Sequence, residues 1–203
     1  MSTGGGGVAA DPAPPTGVLV VSGTGTGVGK TILTAAVAAV AAAAGARVAV
    51  VKPAQSGVGP GEPADLAHVR RLTGLPTDCL HEVARYSLPL APATAARLSG
   101  LPQVDLDACL GVVRSLASRH DLVLVEGAGG LLVRLRDQPP PMLTIADLAR
   151  ALGAPVVVVV DPALGALNHT ALTLEALCGR GRPGRGRRPR RQVHPEPGPG
   201  LRW

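Results

Sequence analysis

Four continuous runs of aliphatic, mostly β-branched residues are spaced along the chain and alternate with longer stretches of mixed polarity. They predict strands at residues 18–21, 47–51, 122–125 and 156–160. The segments between them predict a helix that ends near Ala44 and further helices at 64–73, 106–118, 145–152 and 169–177. Strands that are apolar on both faces and separated by helices are typical of a parallel sheet covered on both sides. The pattern therefore predicts a single α/β domain at residues 17–177.

A glycine-rich turn, GTGTGVGKT at residues 23–31, joins the first strand to the first helix. Backbone N–H groups and the helix dipole at such a junction bind phosphate oxygens. Lys30 would face the β- and γ-phosphates, and the Thr31 hydroxyl would face a magnesium ion. Five residues separate Gly23 from Gly29, where the usual motif has four. The flanking strand, the helix and the Gly-Lys-Thr ending outweigh this departure, so the sequence predicts a three-layer sandwich of the P-loop NTPase type with a mainly parallel sheet.

Charged residues follow two of the predicted strands, at the strand ends where parallel sheets bind ligands. Glu126 closes the third strand, which is typical of a second site for nucleotide-bound magnesium. The following Gly127, Ala128 and Gly129 let the backbone approach a ligand. Lys52 closes the second strand and could stabilise charge on a transferring group, although on its own it is more typical of a surface lysine. Asp65 on its own is typical of a carboxylate in the first turn of a helix.

The amino-acid composition argues against a disulfide-rich, a membrane or a secreted protein. The three cysteines have no metal-ligand spacing and are odd in number, so we expect small buried hydrophobes in a cytoplasmic chain and no disulfide framework. The apolar run at 156–160 is too short to cross a bilayer, which argues against a membrane protein. Residues 1–16, rich in Gly, Pro and Ala, predict a disordered lead-in without a signal segment.

The formal charge of +6 does not predict a nucleic-acid-binding surface. Residues 178–203 hold eight arginines and one glutamate, so the rest of the chain carries −1. This Arg/Pro/Gly-rich segment has no periodicity and predicts a disordered tail.

Five motifs in order resemble the dethiobiotin synthetases, with an actinobacterial character. They are GTGTGVGKT, KPAQSG, the aspartate at position 65, VEGAGGLLV at 125–133 and LGALNHTALTLEAL at 164–177. The resemblance covers residues 18–177, and the phosphate loop that is one residue longer than usual is itself a feature of that family. It implies a ligase of biotin biosynthesis that uses Mg2+ and ATP to close 7,8-diaminononanoate and CO2 into dethiobiotin, through a carbamate and a carbamic-phosphoric anhydride.

The resemblance also implies roles for individual residues. Lys30 and Lys52 would be catalytic, holding the carbamate and the moving phosphoryl group, and Ser56 would touch the diamine or carbamate. Thr31, Asp65 and Glu126 would bind magnesium. The nucleotide would contact Gly27, Val28, Gly29, Lys30, Thr31, Ile32, Asp65, Glu126, Gly127, Ala128 and Gly129. A homodimer is implied, in which Leu164, Gly165 and Asn168 reach the substrate of the partner.

After Leu177 the resemblance stops, where the family continues with a strand and a base-binding segment. The composition there leads us to hypothesise a shift of reading frame near Cys178 or Gly179. Three alternatives stay open: a nucleotide-switched ATPase of the partition type, the related domain of cobyrinate amide synthases or phosphotransacetylases, and a truncated, inactive synthetase remnant. Against the first, the early part of the loop, residues 23–26, contains no lysine. Against the second, no further domain accompanies this one.

Overall fold

A computed structural model describes residues 16–59, 61–137 and 142–180. Its strands, in chain order, are β1 (Gly17–Gly23), β2 (Val48–Lys52), β3 (Gln55–Ser56), β4 (Leu80–Glu82), β5 (Arg85–Tyr86), β6 (Leu122–Glu126), β7 (Arg134–Arg136), β8 (Leu143–Thr144) and β9 (Val156–Val159). Its helices are α1 (Lys30–Ala43), α2 (Asp65–Thr73), α3 (Pro92–Leu98), α4 (Leu106–Ala117), α5 (Ile145–Leu152) and α6 (Ala166–Arg180). No helix among the described residues is long and apolar enough to cross a membrane.

A parallel sheet lies at the centre of the described residues. Its order is β4-β2-β6-β1-β9, and every neighbouring pair is parallel. Two small accessory sheets, β3 with β5 and β7 with β8, are formed by strands of only two or three residues. The carboxyl ends of β1, β2 and β6 therefore meet at one edge of the central sheet, as the sequence predicts.

Alternate residues of the central strands face two separate cores. On β6, Leu122 and Leu124 pack with buried residues of α1 and α2, whereas Val123 and Val125 pack with buried residues of α4 and α5. Strand β2 divides in the same way. Because the side chains of a strand alternate between its faces, a run that is apolar throughout buries both faces of the sheet. The predicted three-layer α/β fold is confirmed.

The observed elements differ from the predicted ones in several places. Strand β4 is a fifth member of the central sheet, and α3 is a further helix; neither was predicted. Helix α6 begins three residues earlier and ends three residues later than expected, at Arg180. Cys109 is buried but Cys178 is exposed, so the expectation that every cysteine is buried is wrong. The rest of the predicted tail and residues 1–15 of the lead-in lie outside the described residues, and the frame shift stays a hypothesis.

The N-terminal cap of helix α5 allows its contribution to stability to be tested. The Thr144 hydroxyl accepts the Asp147 N–H, while the Asp147 carboxylate accepts the Thr144 N–H, which makes a reciprocal capping box. We expect Thr144→Ala to lower the free energy of unfolding by about 1 kcal/mol, because it leaves a helix N–H without its partner. Urea-induced unfolding measures this. Ser118→Ala, at an exposed helix end, is the control and is expected to stay within about 0.5 kcal/mol; equal losses would contradict the prediction.

Candidate active site

The glycine-rich turn between β1 and α1 forms an anion cradle. Gly27 and Gly29 adopt left-handed backbone angles, with φ of 77° and 96°, which residues with a Cβ rarely adopt. Gly29 is the N-cap of α1, and neither a capping side chain nor an acidic residue occupies the first turn. The N–H groups that begin a helix lack intrahelical partners and carry the positive end of its dipole. This end of α1 is therefore suited to bind phosphate.

Lys30 lies over the cradle. Its Nζ donates a hydrogen bond to the Gly25 carbonyl oxygen (2.7 Å), and the residue is 7% exposed. Burial lowers the pKa of Lys30, and the nearby positive charge of Lys52 lowers it further. Its hydrogen-bond partner, a carbonyl oxygen, is neutral. A phosphate group that enters the cradle would place a negative charge beside the Lys30 ammonium.

A buried ion cluster lies behind the loop. Lys52 Nζ donates to Glu126 Oε1 (2.8 Å) and to the Gly127 carbonyl oxygen (3.2 Å), and it also pairs with Asp65 Oδ2. Lys52 is 2% exposed and Glu126 is fully buried. Thr31 Oγ1 donates to the same Glu126 Oε1 (2.9 Å). The interpretation of Lys52 as a surface lysine is therefore wrong: β2 pairs with β6, and this pairing brings Lys52 to the carboxylate of Glu126 at the end of β6.

The loop and the cluster enclose one cleft of about 330 Å³. It is lined by Thr26, Gly27, Gly29, Lys30, Thr31, Ile32, Lys52, Ala54, Gln55, Ser56, Asp65, Glu126, Ala128 and Gly129. A second cavity of about 520 Å³ shares Thr26, Ser56 and the 128–129 backbone with it and is otherwise lined mainly by apolar residues, among them Pro89, Leu90 and Val133. A polar, charged cleft thus opens beside a larger apolar space, an arrangement that suits a phosphorylated reactant next to an aliphatic one.

Five of the predicted site residues lie away from the lining of the cleft. Gly127 lies beneath it, where its carbonyl oxygen accepts Lys52 and its N–H donates to Val21. Val28 packs over Gly23: a Cβ on that glycine would lie 2.7 Å from Val28 Cγ2. Leu164, Gly165 and Asn168 lie at the start of α6, outside the residues that line the cleft. The other predicted residues all line it.

The oxygen atoms of the cluster fit a magnesium ion. Thr31, Asp65 and Glu126 offer a hydroxyl and two carboxylates, the hard donors that Mg2+ prefers. Glu126 Oε2 is buried and accepts no hydrogen bond from the described residues. The described residues contain no group of three or more His, Cys, Asp and Glu side chains placed to hold a metal by themselves. This agrees with Mg2+, which usually takes one or two carboxylates and completes its shell with water and substrate phosphates.

Comparison with known proteins of similar sequence shows the family of this chain. The AAA domain family matches residues 17–186. The ATP-dependent dethiobiotin synthetase of Frankia casuarinae is 63% identical over 163 residues, 80% of this chain and 66% of that protein. The enzymes of the same name from Rhodococcus jostii and Streptomyces coelicolor are 58% and 53% identical, over 81% of this chain and 69% and 67% of their own lengths. The chain belongs to the dethiobiotin synthetase family. It spans about two thirds of the length of the curated relatives it matches.

One signal of this cleft is present in the composition but was not used to predict it. The chain has only two lysines, Lys30 and Lys52, among twenty basic residues, and both line the one cleft. The other eighteen are arginines. An ammonium is a compact point charge, whereas a guanidinium is a planar fork. Both lysines of the chain therefore lie in the cleft, where an ammonium offers a compact point charge.

Gln55 is a site residue that the motifs did not predict. Its Oε1 accepts the Asp65 N–H (3.2 Å), and its Nε2 donates to the Ser56 carbonyl oxygen (3.3 Å). Helix α2 has no side-chain cap from its own N-cap, Ala64, so the glutamine amide caps it from β3. Gln55 therefore connects the helix that carries Asp65 to the backbone of Ser56.

We expect Gln55→Ala to raise the Mg2+ concentration for half-maximal activity about fivefold with little change in kcat, since a lost helix cap costs about 1 kcal/mol. Titrating activity with Mg2+ at saturating ATP measures this. Gln103→Ala is the matched control, because its amide bonds to Asp137, which does not line the cleft. An unchanged Mg2+ dependence in Gln55→Ala, or an equal change in Gln103→Ala, would contradict the assignment.

Proposed function

We propose that this chain is an ATP-dependent cyclo-ligase that converts 7,8-diaminononanoate and CO2 into dethiobiotin. The observation that carries the proposal is the convergence of Lys52, Asp65 and Glu126 behind a phosphate cradle that holds Lys30. Membership of the dethiobiotin synthetase family supports the same chemistry. The apolar cavity beside Ser56 suits the aliphatic chain of the diamine.

The reaction begins with capture of CO2. One amine of the diamine adds to the carbon of CO2 and loses a proton, which leaves an anionic carbamate. Lys52, which lines the polar cleft, would bind this anion through its Nζ, and Ser56, which lines both cavities, would hold the diamine end next to it. Binding a carbamate in a fixed position opposes its return to CO2, because positioning and charge stabilisation both favour the bound anion.

Phosphoryl transfer and ring closure follow. A carbamate oxygen attacks the γ-phosphorus of ATP, the bond to ADP breaks, and a carbamic-phosphoric anhydride forms. The second amine then attacks the carbamoyl carbon, phosphate leaves and the cyclic urea closes. Such transfers need positioning and charge neutralisation more than a protein nucleophile. Lys30 and the N-terminus of α1 would bind the phosphates, while a magnesium ion held by Thr31, Asp65 and Glu126 would neutralise their charge.

We also propose that the chain acts as a homodimer. Leu164, Gly165 and Asn168 lie outside the cleft of their own chain, and exposed leucines continue along the same helix at Leu167 and Leu172. We infer that this ridge packs against another copy and brings residues 164–168 to its substrate. A cytoplasmic location agrees with the three free cysteines and with the use of ATP.

Leu167→Glu tests the dimer. Burying a carboxylate in an apolar interface is unfavourable, so we expect the variant to be monomeric and its diamine-dependent turnover to fall at least about tenfold. Light scattering after size exclusion gives the mass, and phosphate release gives the turnover. Val40→Glu, at another exposed aliphatic position, on α1, is the control. A wild type that is monomeric at assay concentration and fully active would contradict the dimer.

Phosphate release tests the function. Purified protein with Mg2+, ATP and bicarbonate is measured with and without 7,8-diaminononanoate. We expect release that requires the diamine and matches the amount of diamine consumed. Release at the same rate without diamine would instead indicate a nucleotide switch, and no release from folded dimer would indicate an inactive remnant.

A further inference from the structure

The ammonium of Lys52 occupies the position between the oxygens assigned to the metal. Its Nζ bonds Glu126 Oε1, which also accepts the Thr31 hydroxyl, and it pairs with Asp65 Oδ2. One cation is therefore already paired with both carboxylates. An incoming Mg2+ ion that binds Glu126 Oε1 or Asp65 Oδ2 would displace Lys52 from that oxygen, because two cations at contact distance repel each other strongly.

The formal charge of the free cleft also favours an exchange of Lys52 for Mg2+. Its charged lining residues are two lysines, Lys30 and Lys52, and two carboxylates, Asp65 and Glu126, so its formal charge is zero. A neutral cleft attracts Mg2+ weakly. The polyphosphate of ATP would bring the negative charge that is missing, and Lys30 would turn to it from the Gly25 carbonyl oxygen.

We propose that Lys52 is a place-holder cation, which keeps the metal site closed in the free protein and is released toward the carbamate only when Mg2+ enters with ATP. This inference rests on the proposed function for the identity of the carbamate, but the exchange itself involves only this chain, Mg2+ and nucleotide. It requires an order of binding: the nucleotide and metal come first, and the carbamate is held afterwards by the ammonium they displace. It also gives Lys52 a second role besides binding the reacting anion.

Metal binding without nucleotide tests the exchange directly. Mn2+ serves as the probe, and its electron paramagnetic resonance signal is titrated with protein. We expect weak binding by the free wild type and about tenfold or tighter binding by Lys52→Met, the range that neighbours of metal ligands control. Lys30→Met is the matched control: it removes the same charge from the same cleft, but its Nζ bonds a carbonyl oxygen and not the two carboxylates. We expect its gain in Mn2+ affinity to be several times smaller than that of Lys52→Met, because the Lys30 ammonium is not paired with either carboxylate.

Three outcomes would overturn the inference: tight Mn2+ binding by free wild type, no gain in Lys52→Met, or an equal gain in Lys30→Met. The outcome for the proposed function is separate. If wild type shows no ATP-dependent Mn2+ binding while Lys52→Met gains affinity, the use of Mg-ATP and the release of Lys52 by it both fail, whereas the closing of the metal site by Lys52 in the free protein stands. If ATP-dependent binding is present without the gain, the place-holder fails and the use of Mg-ATP stands.

A second measurement avoids substitution of Lys52, whose loss leaves buried carboxylates without their cation. Protein labelled with 15N only at lysine has two side-chain signals, from Lys30 and Lys52, and Lys30→Met assigns them. We expect Mg2+ to shift the Lys52 signal when a non-hydrolysable ATP analogue is bound, and to leave it unchanged in the free protein at the same Mg2+ concentration. A Lys52 signal that stays constant in both states would overturn the exchange.

Discussion

Lys52→Met is expected to lower kcat/KM for 7,8-diaminononanoate by about a hundredfold to a thousandfold, the loss seen when one preorganised electrostatic contact to a reacting anion is removed. The ammonium is buried in the lining of the polar cleft, beside the position assigned to the carbamate. Methionine retains most of its volume, so the loss reports the charge rather than a cavity. Steady-state phosphate release against diamine concentration measures it.

Two further variants test whether the loss is specific to the ammonium of Lys52. Lys52→Arg keeps the charge, but its fork is larger than the space between Glu126 and the Gly127 carbonyl oxygen, so we expect little recovery. Arg71→Met removes an exposed cation from α2 and is expected to keep wild-type turnover. A Lys52→Met enzyme within about tenfold of wild type would show that Lys52 does not bind the reacting anion.

Glu126→Ala is expected to lower the free energy of unfolding by about 3 kcal/mol, because removing one partner of a buried ion pair leaves the other charge uncompensated. The loss falls at the low end of the known range since Lys52 keeps Asp65 as a partner. Glu126→Gln preserves the shape and one acceptor and should cost about 1 kcal/mol. Both variants should lose magnesium-dependent turnover. Urea-induced unfolding and activity at saturating Mg2+ measure the two effects.

Glu82→Ala is the control for this pair of variants. Glu82 also pairs with a basic residue, Arg85, but at a partly exposed position, and such pairs are worth less than about 1 kcal/mol. A Glu126→Ala protein as stable as Glu82→Ala would mean that water reaches the cluster and that its charges are not buried as described.

The central strands and the phosphate cradle could be predicted because the signals for them are local. An apolar run predicts a strand buried on both faces, and glycines before a lysine predict a turn that binds phosphate. Helix α5 was predicted with its observed bounds, 145–152, and the structure adds that Thr144 caps its start and Gly153 its end.

The unpredicted elements depend on pairing with distant residues. Strand β4 reads Leu-His-Glu and has no apolar run, and it is a strand because it pairs with β2. The same limit applies to the site. Lys52 and Glu126 are 74 positions apart, and only the pairing of β2 with β6 makes them partners. Local reading therefore favoured a surface lysine, whereas the fold buries it. Gln55 was missed because its cap belongs to a helix that begins ten residues later.

Isotope incorporation tests the proposed ring closure most directly. The protein is incubated with Mg2+, ATP, 7,8-diaminononanoate and 13C-bicarbonate, and the product is analysed by mass spectrometry. We predict dethiobiotin that carries one 13C atom in its urea carbonyl, formed in a one-to-one ratio with ADP and at least about a hundredfold more slowly when Lys52→Met replaces the wild type. ADP formation by folded wild-type protein without labelled dethiobiotin would contradict the assignment of this cleft to ring closure.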